Sequence, residues 1–139
     1  MLIPPRILKK YLSVEARGVL HVGAHRGEER TWYRREGFGP VIWVEAQRTL
    51  VDELRGVVEP EGDLVIEACV WGTSGIPMTL NISNNGESSS VYEMGTHKRH
   101  HPEIRVVEEI KMETTALRDV LPPGRFFDFV NLDIQGAEL

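Results

Sequence analysis

Two glycines, Gly23 and Gly27, follow a short apolar run and lead into a segment rich in helix-forming residues. Glycine at such a turn lets the backbone approach a ligand closely, and the start of the following helix offers free N–H groups. Three residues separate the glycines, which fits neither the G-x-G-x-x-G of dinucleotide sites nor the Gly-Lys-Ser/Thr of a P-loop. NAD and ATP are therefore disfavoured as ligands.

An acidic residue, Glu45, ends the second apolar run, eighteen positions after Gly27. A carboxylate at that place can accept hydrogen bonds from both hydroxyls of an adenosine ribose, and it would repel a 2′-phosphate. Taken singly, the glycines could simply form a tight turn and Glu45 could cap a strand. Because these features follow successive predicted strands in the order that such a site requires, together they favour a ribose-bearing cofactor.

The elements that must position these residues alternate along the first half of the chain. Their sequence predicts strands at Gly18–Val22, Val41–Val44 and Leu64–Val70, and helices at Glu28–Glu36 and Gln47–Arg55 that stop at Gly37 and Gly56. Such alternation indicates βαβ units and a mostly parallel sheet with flanking helices.

The pattern changes after Gly72. Extended segments are predicted at Pro77–Ile82 and Ile104–Met112, then a short helix at Thr115–Leu121 and a last strand at Phe126–Ile134. The predicted fold class is therefore α/β and Rossmann-like, with an extended or hairpin insertion before the last strand. Residues 1–17 are expected to form a lead-in helix, and residues 18–139 one cofactor-binding domain.

Composition narrows the class of protein further. The 139 residues are 41% apolar and 27% charged, with a formal net charge of −5, so there is no basic field for nucleic acid. No apolar run approaches the roughly 18 residues of a membrane helix, so no membrane association is expected. Cys69 is the single cysteine, and the N-terminus lacks a secretory pattern. A cytoplasmic protein without disulfides is expected.

Several motifs together resemble the FkbM family of S-adenosylmethionine-dependent methyltransferases. They are the segments His21–Glu28, Val41–Ala46, Ser88–Ser90 and Val130–Glu138, the last of which contains an Asp-x-x-Gly-Ala-Glu pattern. The resemblance runs from about Gly18 to the last residue. It implies a class I methyltransferase fold and S-adenosylmethionine as the cofactor.

The resemblance also assigns residues to the cofactor. It implies that Glu45 takes the ribose and that Glu67, Ala68 and Cys69 border the adenine. The methionine end would be lined by the residues of the glycine turn, namely Gly23, Ala24, His25 and Gly27. Class I methyltransferases usually carry an acidic residue where this chain has His21, so the resemblance does not say which group holds the cofactor's amino group.

Methyl transfer to an aliphatic hydroxyl benefits from a base that takes the proton. Asp133 is the best candidate, because it ends the last predicted strand and would face the same crevice as the glycine turn; the alternative is a residue that caps the next helix. Ser88, Ser89 and Ser90 could hydrogen-bond the hydroxyls of an acceptor, or form a solvated loop. A structural role is favoured for Glu138, and a solvated basic loop rather than a metal site for His97–His101. No metal is predicted.

Two functions stay open at this point. The first is a methyltransferase that acts on a hydroxyl of a small molecule or sugar. The second is a non-catalytic half-domain or interaction module. Because the family's domain continues beyond the Gly-Ala-Glu motif, we expect the domain to be incomplete after Leu139. The last strand would then lack a neighbour, which predicts a homo-oligomer or a partner chain that completes the sheet.

Overall fold

A computed structural model of the chain describes residues 7, 9–11, 17–84 and 105–134. The expected lead-in helix falls largely outside these residues; Lys9–Tyr11 form one 3₁₀ turn. Ser88–Ser90, His97–His101 and Glu138 also lie outside them. The described residues divide into two compact units, the first within Met1–Ala68 and Val120–Asp133, the second within Cys69–Asp119 together with Ile134.

The elements follow the predicted order. In chain order the strands are β1 (Val19–Val22), β2 (Val41–Glu45), β3 (Leu64–Glu67), β4 (Cys69–Val70), β5 (Pro77–Ser83), β6 (Val106–Thr115) and β7 (Phe129–Leu132). The helices are α1 (Arg30–Glu36), α2 (Arg48–Val58) and α3 (Leu117–Val120), and a 3₁₀ turn (Glu59–Glu61) follows α2. No helix in this part of the chain has the length and apolar character needed to cross a membrane.

The first unit is built on a four-stranded parallel sheet with the order β3-β2-β1-β7. Every residue of β1 and β2 is buried, as expected for central strands covered on both faces. The predicted mostly parallel α/β fold is therefore confirmed. Within the described residues β7 has one neighbour, β1, and its Val130 and Leu132 are half exposed.

The two longer helices differ in how well the glycines predict their ends. Helix α1 ends where predicted, because Gly37 adopts a left-handed conformation with φ of 76° and donates its N–H to Arg34. Helix α2 passes through Gly56 and ends at Val58, so the predicted stop is wrong. Val58 is fully buried in the core, and its packing outweighs the helix-breaking tendency of the glycine.

The core of the first unit combines aliphatic and aromatic side chains, and the carboxylate of Asp63 bonds to its edge. Trp43 and Tyr33 are both fully buried in it. Asp63, in the turn before β3, accepts hydrogen bonds from the Val41 N–H and from Nε1 of Trp43, both at 3.0 Å. Because these donors lose their contact with water, Asp63 is needed to fix β2 in the sheet.

The second unit contains the insertion. Strands β5 and β6 form an antiparallel pair, and β4 runs parallel to β6 on its other side. The prediction of one continuous third strand to Val70 is wrong, because the strand breaks at Ala68. The Ala68 N–H donates to the Glu45 carbonyl, whereas Cys69 begins a strand of the second sheet.

The last strand is shorter than predicted. Only Phe129–Leu132 enter the sheet, while the residues before them pass close to Gly18. The Gly18 carbonyl accepts the N–H groups of Asp128 and Phe129, and a Cβ at Gly18 would lie 2.1 Å from the Phe126 carbonyl oxygen. The chain before β7 therefore packs against a glycine instead of extending the ladder.

Candidate functional site

The carboxyl ends of β1, β2 and β7 bring the predicted site residues to one edge of the first sheet. The glycine turn follows β1, Glu45 ends β2, and Asp133 follows β7. Val22 is in register with Val44 and Leu132, and the Asp133 N–H donates to the Val22 carbonyl at 2.9 Å. Parallel strands place ligand sites at this edge.

The turn itself has a conformation that few residue types adopt. Gly23, His25 and Gly27 have φ angles of 81°, 48° and 70°. Among the described residues, His25 is the one non-glycine residue with a positive φ. Histidine is one of the residue types that tolerate this conformation best. The N–H groups of Gly23 and Ala24 both donate to the Val44 carbonyl, which fastens the turn to β2.

Gly27 is required for a second reason. A Cβ built on it would lie 2.7 Å from Cδ1 of Leu54, a buried side chain of α2. The turn therefore packs against α2 as closely as a glycine allows, and this contact fixes where the chain leaves the sheet edge.

Glu45 is buried at the end of β2, with 7% of its surface exposed. One carboxylate oxygen, Oε2, accepts the His25 N–H at 2.8 Å, and Oε1 accepts the N–H groups of Ala46 and Gln47 at 2.9 Å. Glu45 therefore stabilises the local backbone, which is one of the two roles that the sequence allowed for it. The carboxylate also joins the end of β2 to the glycine turn, as a site shared by these two elements requires.

The side chain of His25 is held by a neighbouring acid. Its Nδ1 lies 2.5 Å from Oε1 of Glu28, and Arg26 contacts its Nε2 at 3.2 Å. Partial burial disfavours the charged form of Glu28, but hydrogen bonds from His25 and from backbone N–H groups outweigh it and lower the pKa of Glu28. Glu28 therefore carries its charge in this contact.

His21 lies beneath the turn in a polar network that the sequence did not reveal. Asn131 of β7 donates to Nε2 of His21 at 3.2 Å, so Nδ1 carries the proton and donates to the hydroxyl of Tyr33 at 3.1 Å. The imidazole also stacks on Trp43. Burial lowers the pKa of His21 to about 4 and raises that of Tyr33, so both are uncharged at neutral pH. Because side chains alternate along β1, His21 lies on the same face of the sheet as Val19. Its hydrogen-bond partners come from α1 and β7.

The residues predicted to border an adenine lie at the end of β3 and just after it. The Ala68 N–H bonds to the Glu45 backbone, and Glu67 forms an ion pair with Arg48 at 2.8 Å. Cys69, in the second unit, is buried and forms no disulfide. The serines predicted to contact the acceptor lie outside the described residues. No group of three metal-binding side chains is present in residues 7, 9–11, 17–84 and 105–134.

A parallel sheet with this turn after its first strand and an acidic residue at the end of its second is consistent with a Rossmann-like methyltransferase fold. Comparison with family models gives the same class and its family. The model of the methyltransferase FkbM domain matches residues 21–139, so the chain belongs to the FkbM methyltransferase family. Neither the curated proteins nor the solved structures gave a match.

Proposed function

We propose that this chain binds S-adenosylmethionine and transfers its methyl group to a hydroxyl of a small molecule or sugar. The observation that carries the proposal is the position of the Glu45 carboxylate, buried at the end of β2 and bonded to the glycine turn. A carboxylate there is suited to the ribose of an adenosine cofactor. The hydroxyl acceptor is the class that the family resemblance implies.

The residues at this edge fit such a cofactor. A carboxylate has about four positions that can accept a hydrogen bond. Three backbone N–H groups already donate to the Glu45 carboxylate. About one position is left, so we expect Glu45 to bind one of the two ribose hydroxyls, not both as the sequence suggested. Gly23, Ala24, His25 and Gly27 would lie along the methionine end, and Ala68 would border the adenine.

The chemistry divides between the cofactor and the protein. S-adenosylmethionine supplies a methyl group on a sulfonium, which an acceptor oxygen can displace in line. The protein has to align that oxygen, an effect that contributes about 7–11 kcal/mol to rate enhancement in well-oriented reactions. Asp133 is the residue we assign to the acceptor, because its exposed carboxylate stands at the end of β7 beside the turn. It would accept the proton that the hydroxyl loses.

Calorimetric titration of the chain with S-adenosylhomocysteine tests the proposal. We expect binding by the native chain and a loss of about ten- to hundredfold in affinity in Glu45→Ala, as for one hydrogen bond to a charged group. Glu59→Ala is the control, because it removes the same charge at the far end of α2. The absence of any binding at millimolar ligand would refute the proposal.

A ligand contrast separates ribose recognition from damage to the turn. Analogues of S-adenosylhomocysteine that lack the 2′ or the 3′ hydroxyl should bind the native chain unequally, and Glu45→Ala should bind them as well as it binds the parent compound. If the variant still discriminates among the three ligands, Glu45 does not bind the ribose.

A further inference from the structure

Strand β7 leads directly into Asp133, so the position of this strand decides where the proposed base stands. Among the strands that the structure describes, only β1 pairs with β7. The last backbone bond of this pair runs from the Asp133 N–H to the Val22 carbonyl at 2.9 Å. Strand ends held by one such bond open locally at a low cost in free energy. Side chains that tie β7 to the rest of the first unit are therefore needed to hold Asp133 in place.

Side-chain contacts tie down both ends of β7. Just before the strand, Asp128 accepts hydrogen bonds from the backbone and the guanidinium of Arg17 at 2.8 to 3.3 Å. The Arg17 side chain is 73% exposed, so water screens this ion pair and weakens it. Within the strand, Asn131 donates to Nε2 of His21 at 3.2 Å and lies 3.3 Å from the Tyr33 hydroxyl.

The contact of Asn131 is the one placed to control Asp133. His21 is the partner of Asn131 in the parallel register, and only 2% of its surface is exposed. A hydrogen bond at such a site is costly to break, because a buried group cannot turn to water instead. Asn131 and Asp133 are two positions apart, so alternation places both side chains on the same side of the chain. The buried contact therefore lies directly next to the proposed base.

We propose that Asn131 is a positioning residue for methyl transfer, an assignment that rests on the proposed function. By bonding to His21 and Tyr33, it fixes the carboxyl end of β7 against β1 and α1, and so sets the place of Asp133 relative to the glycine turn. Asn131 itself touches neither the cofactor nor the acceptor. Because a misplacement of about 1 Å can slow a reaction about a hundredfold, loss of these contacts should slow transfer although no reacting group is removed.

Amide hydrogen exchange by NMR tests the positioning without any ligand. In Asn131→Ala we expect the Asp133 amide to exchange at least about tenfold faster, while the Phe129 amide at the start of β7 changes by less than about threefold. Asp128→Ala is the matched control, because it breaks the exposed contact before the strand; it should leave the Asp133 amide unchanged. Asn131→Asp can accept a hydrogen bond from the imidazole and should keep most of the protection.

Three results of the exchange measurement would overturn the positioning role. They are an unprotected Asp133 amide in the native chain, unchanged exchange of Asp133 in Asn131→Ala, and equal acceleration of the Asp133 and Phe129 amides. Equal acceleration would mean that the substitution lowers only the global stability. Asn131→Leu, which keeps the volume but not the donor, gives the same comparison should Asn131→Ala fail to fold.

Methyl transfer gives a second readout, with labelled S-adenosylmethionine and a panel of monosaccharides and simple alcohols as acceptors. Asn131→Ala should lower kcat by about ten- to hundredfold, while the affinity for S-adenosylhomocysteine stays within about threefold. In an Asp133→Asn background the same substitution should cost less than about twofold, because the group that it positions is gone. Full additivity of the two losses would overturn the role of Asn131.

Failure of the proposed function would look different. A native chain that does not bind S-adenosylhomocysteine would overturn that function itself. A native chain that binds it but methylates none of the panel would overturn the hydroxyl acceptor. In both cases the exchange data would still decide whether Asn131 positions Asp133.

Discussion

Protonation of His21 should make this fold less stable in acid. The side chain is 2% exposed, and burial lowers its pKa from 6.5 to about 4. The unfolded chain therefore takes up a proton near pH 6.5, whereas the folded chain resists it until near pH 4. Below pH 6.5 the unfolded state binds more protons, so the free energy of unfolding falls by about 1.4 kcal/mol per pH unit, or about 3 kcal/mol in total.

The hydrogen-bond contacts of His21 also predict that acid destabilises the fold. A second proton would go to Nε2, which faces the side-chain N–H of Asn131 at 3.2 Å. Protonation would set two donors against each other at a side chain that is only 2% exposed. Asn131→Asp would place a carboxylate at that position instead. We expect this variant to raise the pKa of His21 and to flatten the dependence of stability on pH.

Urea unfolding measured at steps from pH 7 to pH 4 tests this reasoning. The carboxylates of the chain also titrate in this range, so the informative quantity is the difference between the native chain and His21→Asn. We expect that difference in unfolding free energy to shrink by about 3 kcal/mol across the range. Parallel curves for the two proteins, or an imidazole titration by NMR with a midpoint near 6.5, would refute the assignment of a buried neutral His21.

Three further substitutions probe the turn, helix α2 and the transfer step. Gly27→Ala should lower the free energy of unfolding by about 2–4 kcal/mol, because the backbone there is left-handed and the new Cβ would lie only 2.7 Å from Leu54. Gly56→Ala should instead stabilise the protein slightly, because a Cβ at this position of α2 meets nothing within 4 Å. Asp133→Asn should reduce methyl transfer from labelled S-adenosylmethionine to a responsive hydroxyl compound by about 10²–10⁴-fold, while the affinity for S-adenosylhomocysteine stays within about threefold. Undiminished transfer would remove Asp133 from the reaction.

The sheet of the first unit could be predicted because its signals are local. Four and five consecutive apolar or buried positions in β1 and β2, each followed by a helix, leave few alternatives to parallel pairing. The errors arose where distant contacts decide. Helix α2 passes Gly56 because Val58 reaches the core, and β3 ends at Glu67 because the chain just after it, Cys69–Val70, pairs with β6 instead. Neither partner is adjacent in sequence.

The candidate site, like the fold, could be predicted only where its signals are local in the sequence. The turn and Glu45 could be found from residue type and spacing, since each follows a recognisable strand. The network of His21 could not, because Tyr33 and Asn131 lie 12 and 110 residues away. Tyr33 reaches His21 from α1, and Asn131 reaches it through the β1–β7 register. The same register places Asp133 beside the turn. A mutation that disturbs the His21 network should therefore move Asp133 as well.

The double role of Glu45 decides how its variants have to be interpreted. Its carboxylate holds the His25 N–H, and through His25 it supports the left-handed residue on which the turn depends. Glu45→Ala therefore removes a proposed ribose ligand and three backbone acceptors together, and a buried N–H left without a partner costs about 1–3 kcal/mol. A loss of affinity alone would not separate these effects. Only the contrast between ligands with and without each ribose hydroxyl does so, because the damage to the turn is common to all of them.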